Sequence, residues 1–208
     1  MKRLVSMICL ILALGLVLTG CSSGNTDPTA NASVKVAVTL PYVVEGAADE
    51  FSAQLKAGLP ALNTEEKSIL VQGVNTGDPK SDPMSAMAGM TKITTMFLGK
   101  EIEILICDAD NAQRHGEGGN AYMPLEKLFT EDELTELGVS GLTVNKVDGE
   151  GQLTGETSVP VGISLEACEG VRNIFKMSDL GLYVIDMPES ETNIENIRAA
   201  IRFILTMK

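Results

Sequence analysis

The chain has no tryptophan, three tyrosines, five phenylalanines and a single histidine among 208 residues. Without tryptophan, and with so few rings of any kind, a carbohydrate site built on stacked aromatics is disfavoured. With one histidine, any triad or general base of the usual kind has to use His115. That residue stands beside Arg114 and Glu117 in the glycine-rich stretch Arg114 to Asn120, which reads as a mobile loop carrying a surface histidine. A Gly-x-Ser-x-Gly turn is absent, and Gly116, Gly118 and Gly119 are not followed by the Lys-Ser/Thr of a phosphate loop. No enzyme is expected, and no catalytic residue, cofactor or metal is assigned.

Basic residues are also scarce, 16 Lys and Arg against 28 Asp and Glu, for a net charge of −12. Such a balance opposes nucleic acid and anionic lipid while keeping an exposed protein soluble, so nucleic-acid functions are excluded.

The N-terminus is the most legible segment. Lys2 and Arg3 precede an uncharged apolar run from Leu4 to Leu18. That run falls short of the ~20 residues a bilayer-spanning helix needs and fits the apolar centre of a secretory leader. Residues 1–20 therefore read as a signal peptide. Leu18-Thr19-Gly20-Cys21 resembles the bacterial lipobox, which makes Cys21 the lipidated (palmitate-bearing) first residue of a mature lipoprotein. Two acyl chains at about 0.8 kcal/mol per buried CH₂ hold stably where one does not. The protein is expected at the extracytoplasmic face of a cell membrane. Residues 21–33, rich in Ser, Asn, Thr and Gly, read as a flexible tether.

Of the four cysteines, Cys9 belongs to the leader and Cys21 to the anchor, leaving Cys107 and Cys168. An oxidising compartment permits a disulfide between them, and two separately buried thiols are the alternative.

Residues 34–208 fit one domain. Val34 to Leu40 reads as a strand, and Ala47 to Leu62 as a helix with Phe51, Leu55, Leu59 and Leu62 on one stripe. Ser68 to Val74 is a second strand. Asp82 and Pro83 announce a helix running to Leu98, with Gly99 behind it. Met84, Met87, Met90 and Met96 lie on this helix, which is so apolar that burial between layers is expected. Ile102 to Cys107 is a third strand. The β-α-β-α-β order implies parallel pairing with right-handed crossovers. Thr130 to Leu137 reads as a short acidic helix. Val139 to Val147 and Gln152 to Leu165 read as an antiparallel hairpin about Asp148-Gly149. Leu182 to Asp186 is a last strand and Ser190 to Leu205 a last helix, with Thr192 and Glu195 spaced as a capping box. The fold class is α/β, a three-layer sandwich with a mainly parallel sheet plus an antiparallel hairpin.

In open parallel sheets, ligands bind outside the carboxyl ends of the strands. The loops there carry Tyr42, then Asn75 and Asp78, then Asp108, Asp110 and Asn111, a set suited to a cationic or hydroxylated solute. Caps and turns are the competing role for the same residues. Asp108 and Asp110 also invite a hard cation, but Arg114 stands where a further carboxylate would be needed.

Several stretches resemble one lobe of a bacterial extracellular solute-binding protein of the type II periplasmic-binding kind. Val34 to Tyr42 is similar to the family's first strand and ligand-side loop, and Gly99 to Asp108 to a further strand. Gly118 to Leu128 resembles a loop that precedes a helix, Val159 to Ile163 a return strand, and Leu182 to Leu205 the closing strand and helix. The resemblance touches about two-thirds of the mature chain. It implies a solute receptor of an ABC importer, with a small-molecule solute and an ABC permease as partners. The long middle portion that builds the second lobe is missing, so closure of two lobes on a ligand is not expected. A lipoprotein module that contacts other proteins and takes no small molecule is the alternative.

Overall fold

The computed structural model describes residues 31–186 and 193–208. Its centre is β1 (Ala32–Leu40), a run rich in Val that is buried along almost its whole length. Strand side chains alternate between faces, so β1 feeds two cores at once. Val34, Val36, Val38 and Leu40 enter one hydrophobic cluster and Ala37 the other. The strand starts two residues before the expected Val34, because Ser33 is drawn in and its hydroxyl donates to the carbonyls of Leu62 and Ser68.

On one side β1 pairs in parallel with β2 (Ser68–Asn75), and on the other with β3 (Ile104–Cys107). Between these strands run α1 (Ala47–Gly58) and α2 (Pro83–Leu98). Both helices begin and end for local reasons. Pro60 opens a separate 3₁₀ turn after α1. The Asp82 side chain accepts a bond from the Ser85 N–H while Pro83 occupies the first helical turn, where its missing N–H is harmless.

After β3 come α3 (Ala109–His115), α4 (Leu125–Leu128) and α5 (Glu131–Leu137). The expected mobile loop at Arg114 to Asn120 is instead the end of α3 followed by a 3₁₀ turn at Glu117–Gly119, with His115, Gly118 and Gly119 buried. The chain then forms β4 (Gly141–Leu142), β5 (Asn145–Val147), β6 (Leu153–Thr157), β7 (Gly162–Ser164), α6 (Glu169–Phe175), β8 (Gly181–Val184) and α7 (Ile194–Thr206).

The main sheet has the order β2-β1-β3-β8-β7-β4. Its second half is antiparallel: β8 runs against β3 and β7, and β4 against β7. Strands β1, β2, β3 and β7 thus point one way, which keeps the sheet mainly parallel in direction. The expected hairpin is present, but it splits. Its inner parts β5 and β6 pair as a separate two-stranded ribbon around Asp148-Gly149, while its outer parts β4 and β7 join the main sheet.

The helices make three layers. On one face α1, α6 and α7 bury Phe51, Leu55, Phe175, Ile197, Ile201 and Ile204, with the rings of Phe51 and Phe175 5.3 Å apart. Fully burying one such side chain contributes about 1.5–3 kcal/mol. On the other face α2 and α3 cover Ala37, Leu105 and Cys107 with Ile93, Met96 and Ala112. The expectation that α2 is buried between layers is corrected here: Met96 is core, but Met84 and Met87 are 76% and 68% exposed because α2 is an outer layer. Gly89 sits where α2 crosses the end of β2, and a Cβ there would lie 2.3 Å from the Asn75 carbonyl oxygen.

α7 begins at Ile194, and Asn193 before it makes no side-chain cap. Thr192, half of the expected capping box, lies outside the described residues, as do Cys21 and the leader. A complete box is found on α5, where Thr130 and Glu133 bond reciprocally. Glu133 also receives Arg198 and Arg202 of α7, at 2.5 and 2.7 Å. Among the described residues no helix is long and apolar enough to cross a membrane.

Candidate functional site

The loops after β1, β2 and β3 do converge at the carboxyl end of the parallel strands. Thr76 N–H donates to the Leu40 carbonyl, and Gly77 N–H to that of Pro41. What the convergence does with the six predicted residues is mostly architectural. Asn75 Oδ1 accepts the Val43 N–H at 2.6 Å, tying the first two loops together. Asp78 closes its own turn, accepting from Lys80 N–H and Ser81 Oγ, each at 2.9 Å. The backbone bond from Lys80, then the Ser81 hydroxyl, hold its carboxyl below the usual carboxylate range.

Asp108 caps α3. Its Oδ1 accepts the Asn111 N–H at 2.7 Å and its Oδ2 the Asn111 side-chain amide at 3.1 Å. The same amide reaches Thr76 Oγ1 at 3.3 Å. Thr76, Asp108 and Asn111 are all buried. Two buried acceptors at this end, Thr39 Oγ1 and Asn111 Oδ1, have no partner among the described residues. Asp110 is exposed, and Tyr42 is 69% exposed. Four of the six predicted residues therefore hold the loops, and two face solvent.

Of the two readings of the remaining cysteines, a disulfide or two separately buried thiols, the structure has the second. Cys107 and Cys168 are both free and buried. Cys107 belongs to the cluster under α2 and α3, Cys168 to the cluster under α1, α6 and α7, so the sheet stands between them. Burial raises both thiol pKa values, and the neighbouring Asp108 adds to the rise at Cys107. Neither is set up as a thiolate nucleophile. His115 is no surface residue either. Its ring lies 6.0 Å from that of Phe97, Nε2 has no partner among the described residues, and burial, then the Arg114 charge, lower its pKa to about 4. Among the described residues no group of three or more His, Cys, Asp or Glu side chains is placed to hold a metal.

A roomier opening lies elsewhere. A cleft of about 460 Å³ opens where the β5-β6 ribbon leans on the 3₁₀ turn, near the amino end of β3. Its floor depends on glycine: Gly118 has φ +69°, and a Cβ there would come within 2.7 Å of the Val147 backbone nitrogen. Glu117 beside it also has a positive φ, 46°, a conformation that costs a non-glycine residue energy. Lys127, Lys146 and Asp186 line the cleft together with Asn120 and Thr157. Lys127 Nζ lies 3.4 Å from Asp186 Oδ2, and Lys146 Nζ 3.1 Å from Glu156 Oε2, both pairs substantially exposed.

A second hollow of about 330 Å³ lies at the other end of the sheet. Only Ala109 represents α3 there, and Glu166 and Asp179 face it. Tyr122 lines the first hollow and Tyr183 the second, with their rings 4.8 Å apart. Tyr122 is fixed by its hydroxyl, which donates to the Ala112 carbonyl at 2.9 Å.

Sequence reasoning missed the cleft. Its lysines stand far apart in the chain, and its glycines read as a loop with nothing packed on it. The Asp-Gly hairpin turn was the one usable signal, since it placed a ribbon after the glycine stretch. No family model matches the chain, and no curated protein or solved structure compared with it matches either.

Proposed function

We propose that this chain is a membrane-anchored, non-catalytic solute-binding lipoprotein, tethered through Cys21 at the extracytoplasmic face and related in function to the receptors of ABC importers. The observation that carries the reading is the cleft between the β5-β6 ribbon and the Glu117–Gly119 turn. Its volume of about 460 Å³ is within the roughly 300–1,000 Å³ that small-molecule sites occupy, and charged groups of both signs line it. The lowered pKa of His115 and the raised pKa of Cys107 support a non-catalytic role, because neither is poised as a base or nucleophile near neutral pH.

Two measurements test the proposal. Expressed in a bacterium, the full chain should fractionate with membranes and Cys21→Ala should release it. Purified in detergent, it should melt at a higher temperature with at least one compound of a broad metabolite library, by mass action on the folded state. A library that leaves the melting temperature unmoved would refute solute binding.

One observation favours a second reading, a lipoprotein module that meets another protein. Tyr42, Met84 and Met87 stand exposed on segments that leave the carboxyl ends of β1 and β2. A contiguous exposed apolar patch beyond a few hundred Å² marks a contact surface, and these three side chains are where one would lie. Crosslinking on membranes through a photoreactive group at Met87 would distinguish it.

A further inference from the structure

We infer that the cleft under the β5-β6 ribbon binds a small zwitterion, with its carboxylate between Lys127 and Lys146 and its ammonium group against Asp186. The inference rests on the solute-binding reading and names its ligand class. A solute carrying only negative charge gains the two ammonium groups but meets Asp186 in the same cleft. One carrying only positive charge gains Asp186 and meets two lysines. A solute with one group of each sign satisfies all three.

The ion pairs already present suit this exchange. Lys127 and Asp186 are held at 3.4 Å with side chains 56% and 33% exposed, and such solvated pairs are weak. Inserted between them, a zwitterion leaves each side chain facing an opposite charge, so opening the pair strands no buried ion. Lys146 pairs with Glu156, which does not line the cleft. Asn120 and Thr157 add exposed polar groups on the rim. Val147 and Val161 supply apolar wall for a short carbon chain. Nothing here uses the predicted set at the other end of the sheet, where Asn75, Asp78, Asp108 and Asn111 are tied into turns and caps.

The test is calorimetric titration of the full chain in detergent with L-alanine, L-glutamine and γ-aminobutyrate, against succinate and putrescine as single-sign controls. At least one zwitterion should bind ten times or more tightly than either control. Lys127→Gln with Lys146→Gln, and separately Asp186→Asn, should each weaken that binding at least tenfold while the unliganded melting temperature stays within about 2 °C. Equal binding by the variants, or by succinate, would overturn the inference. A library compound that binds wild type and variants alike would sink it too and leave the solute-binding reading standing. Failure of every compound would remove both.

Discussion

The two ends of α3 put polar groups to opposite uses. At its start, Asp108, Asn111 and Thr76 are buried and bonded to one another, so their polarity goes into fixing three loops. Beyond its end, the Glu117–Gly119 turn floors a cleft whose charged residues line open space and pair with partly or fully exposed partners. A polar residue at a topologically favoured position is thus a weak sign of a site. What separates the two regions is how much of the hydrogen-bonding capacity is already engaged. At the start of α3 the Asp108 carboxylate and the Asn111 amide nitrogen are bonded, and of the buried side-chain atoms there only Thr39 Oγ1 and Asn111 Oδ1 are left over among the described residues. A buried carboxylate that accepts two bonds has little left to offer a ligand, whereas an ammonium group in a solvated pair loses little by changing partner.

Removing Asp108 tests that contrast most severely. Asp108→Ala takes away the α3 cap, typically about 1 kcal/mol and up to about 2. It also strips the Asn111 side-chain amide of one acceptor inside the protein, adding roughly 1–3 kcal/mol. The expected loss is about 3 kcal/mol, a fall in melting temperature near 10 °C for a chain of this size. Asp108→Asn keeps a capping oxygen and should lose about half as much. If Asp108→Ala instead left stability unchanged and abolished ligand binding, the carboxyl-end loops would be the site and the contrast would be reversed.

Fold class was legible from the chain alone because local signals agreed with one another. Asp82 and Pro83 marked the start of α2 to the residue, the Val-rich run marked the central strand, and the alternation of strands and helices implied the parallel half. The carboxyl-end residues were legible for a related reason, since turn and cap chemistry is written in consecutive positions. The same legibility misled, because those residues serve the local structure that makes them conspicuous. The antiparallel half was harder. Whether Val139 to Val147 pairs as one strand or as two pieces in different sheets depends on β8, which comes later in the chain and supplies the neighbour for β7. The exposed face of α2 was misread because hydrophobicity alone does not say whether a further layer exists to cover it. The fate of Cys107 and Cys168 turned on which face of the sheet each side chain takes, and spacing along the chain does not carry that.

His115 sharpens the boundary between the two regions, since it lies at the cleft end of α3 yet packs inward against Phe97. Its folded pKa of about 4 is below the ordinary 6.5, so the native state resists a proton that the unfolded chain accepts. Between those values the unfolded state binds more protons, and stability falls as pH drops from about 6.5 towards 4. The full conversion of that shift is roughly 3 kcal/mol, and about 2 kcal/mol is expected once its partial contact with solvent is allowed for. His115→Phe should flatten this part of the profile in denaturant titrations at pH 7, 5.5 and 4.5. An equally steep slope in the variant would place the responsible group elsewhere and return His115 to the solvated side.

The smallest effect is the one the contrast needs most. If the cleft lysines are available to a ligand, the fold must not depend on them. Lys127 and Lys146 each hold one carboxylate across a solvated gap, at 3.4 and 3.1 Å, and both lysine side chains are about half exposed. Pairs of that kind contribute from nothing to about 1 kcal/mol, less at physiological salt, because water screens the attraction and ordering two long side chains opposes it. Substituting glutamine keeps part of the aliphatic stem and a polar end while removing the charge. Lys127→Gln with Lys146→Gln should therefore change unfolding free energy by less than about 0.5 kcal/mol at 150 mM salt, and by even less at 1 M. A loss near 2 kcal/mol in urea titrations would show that the ribbon is held to the body by these two pairs. The charges of the cleft would then serve the fold in the same way as the buried polar groups at the start of α3.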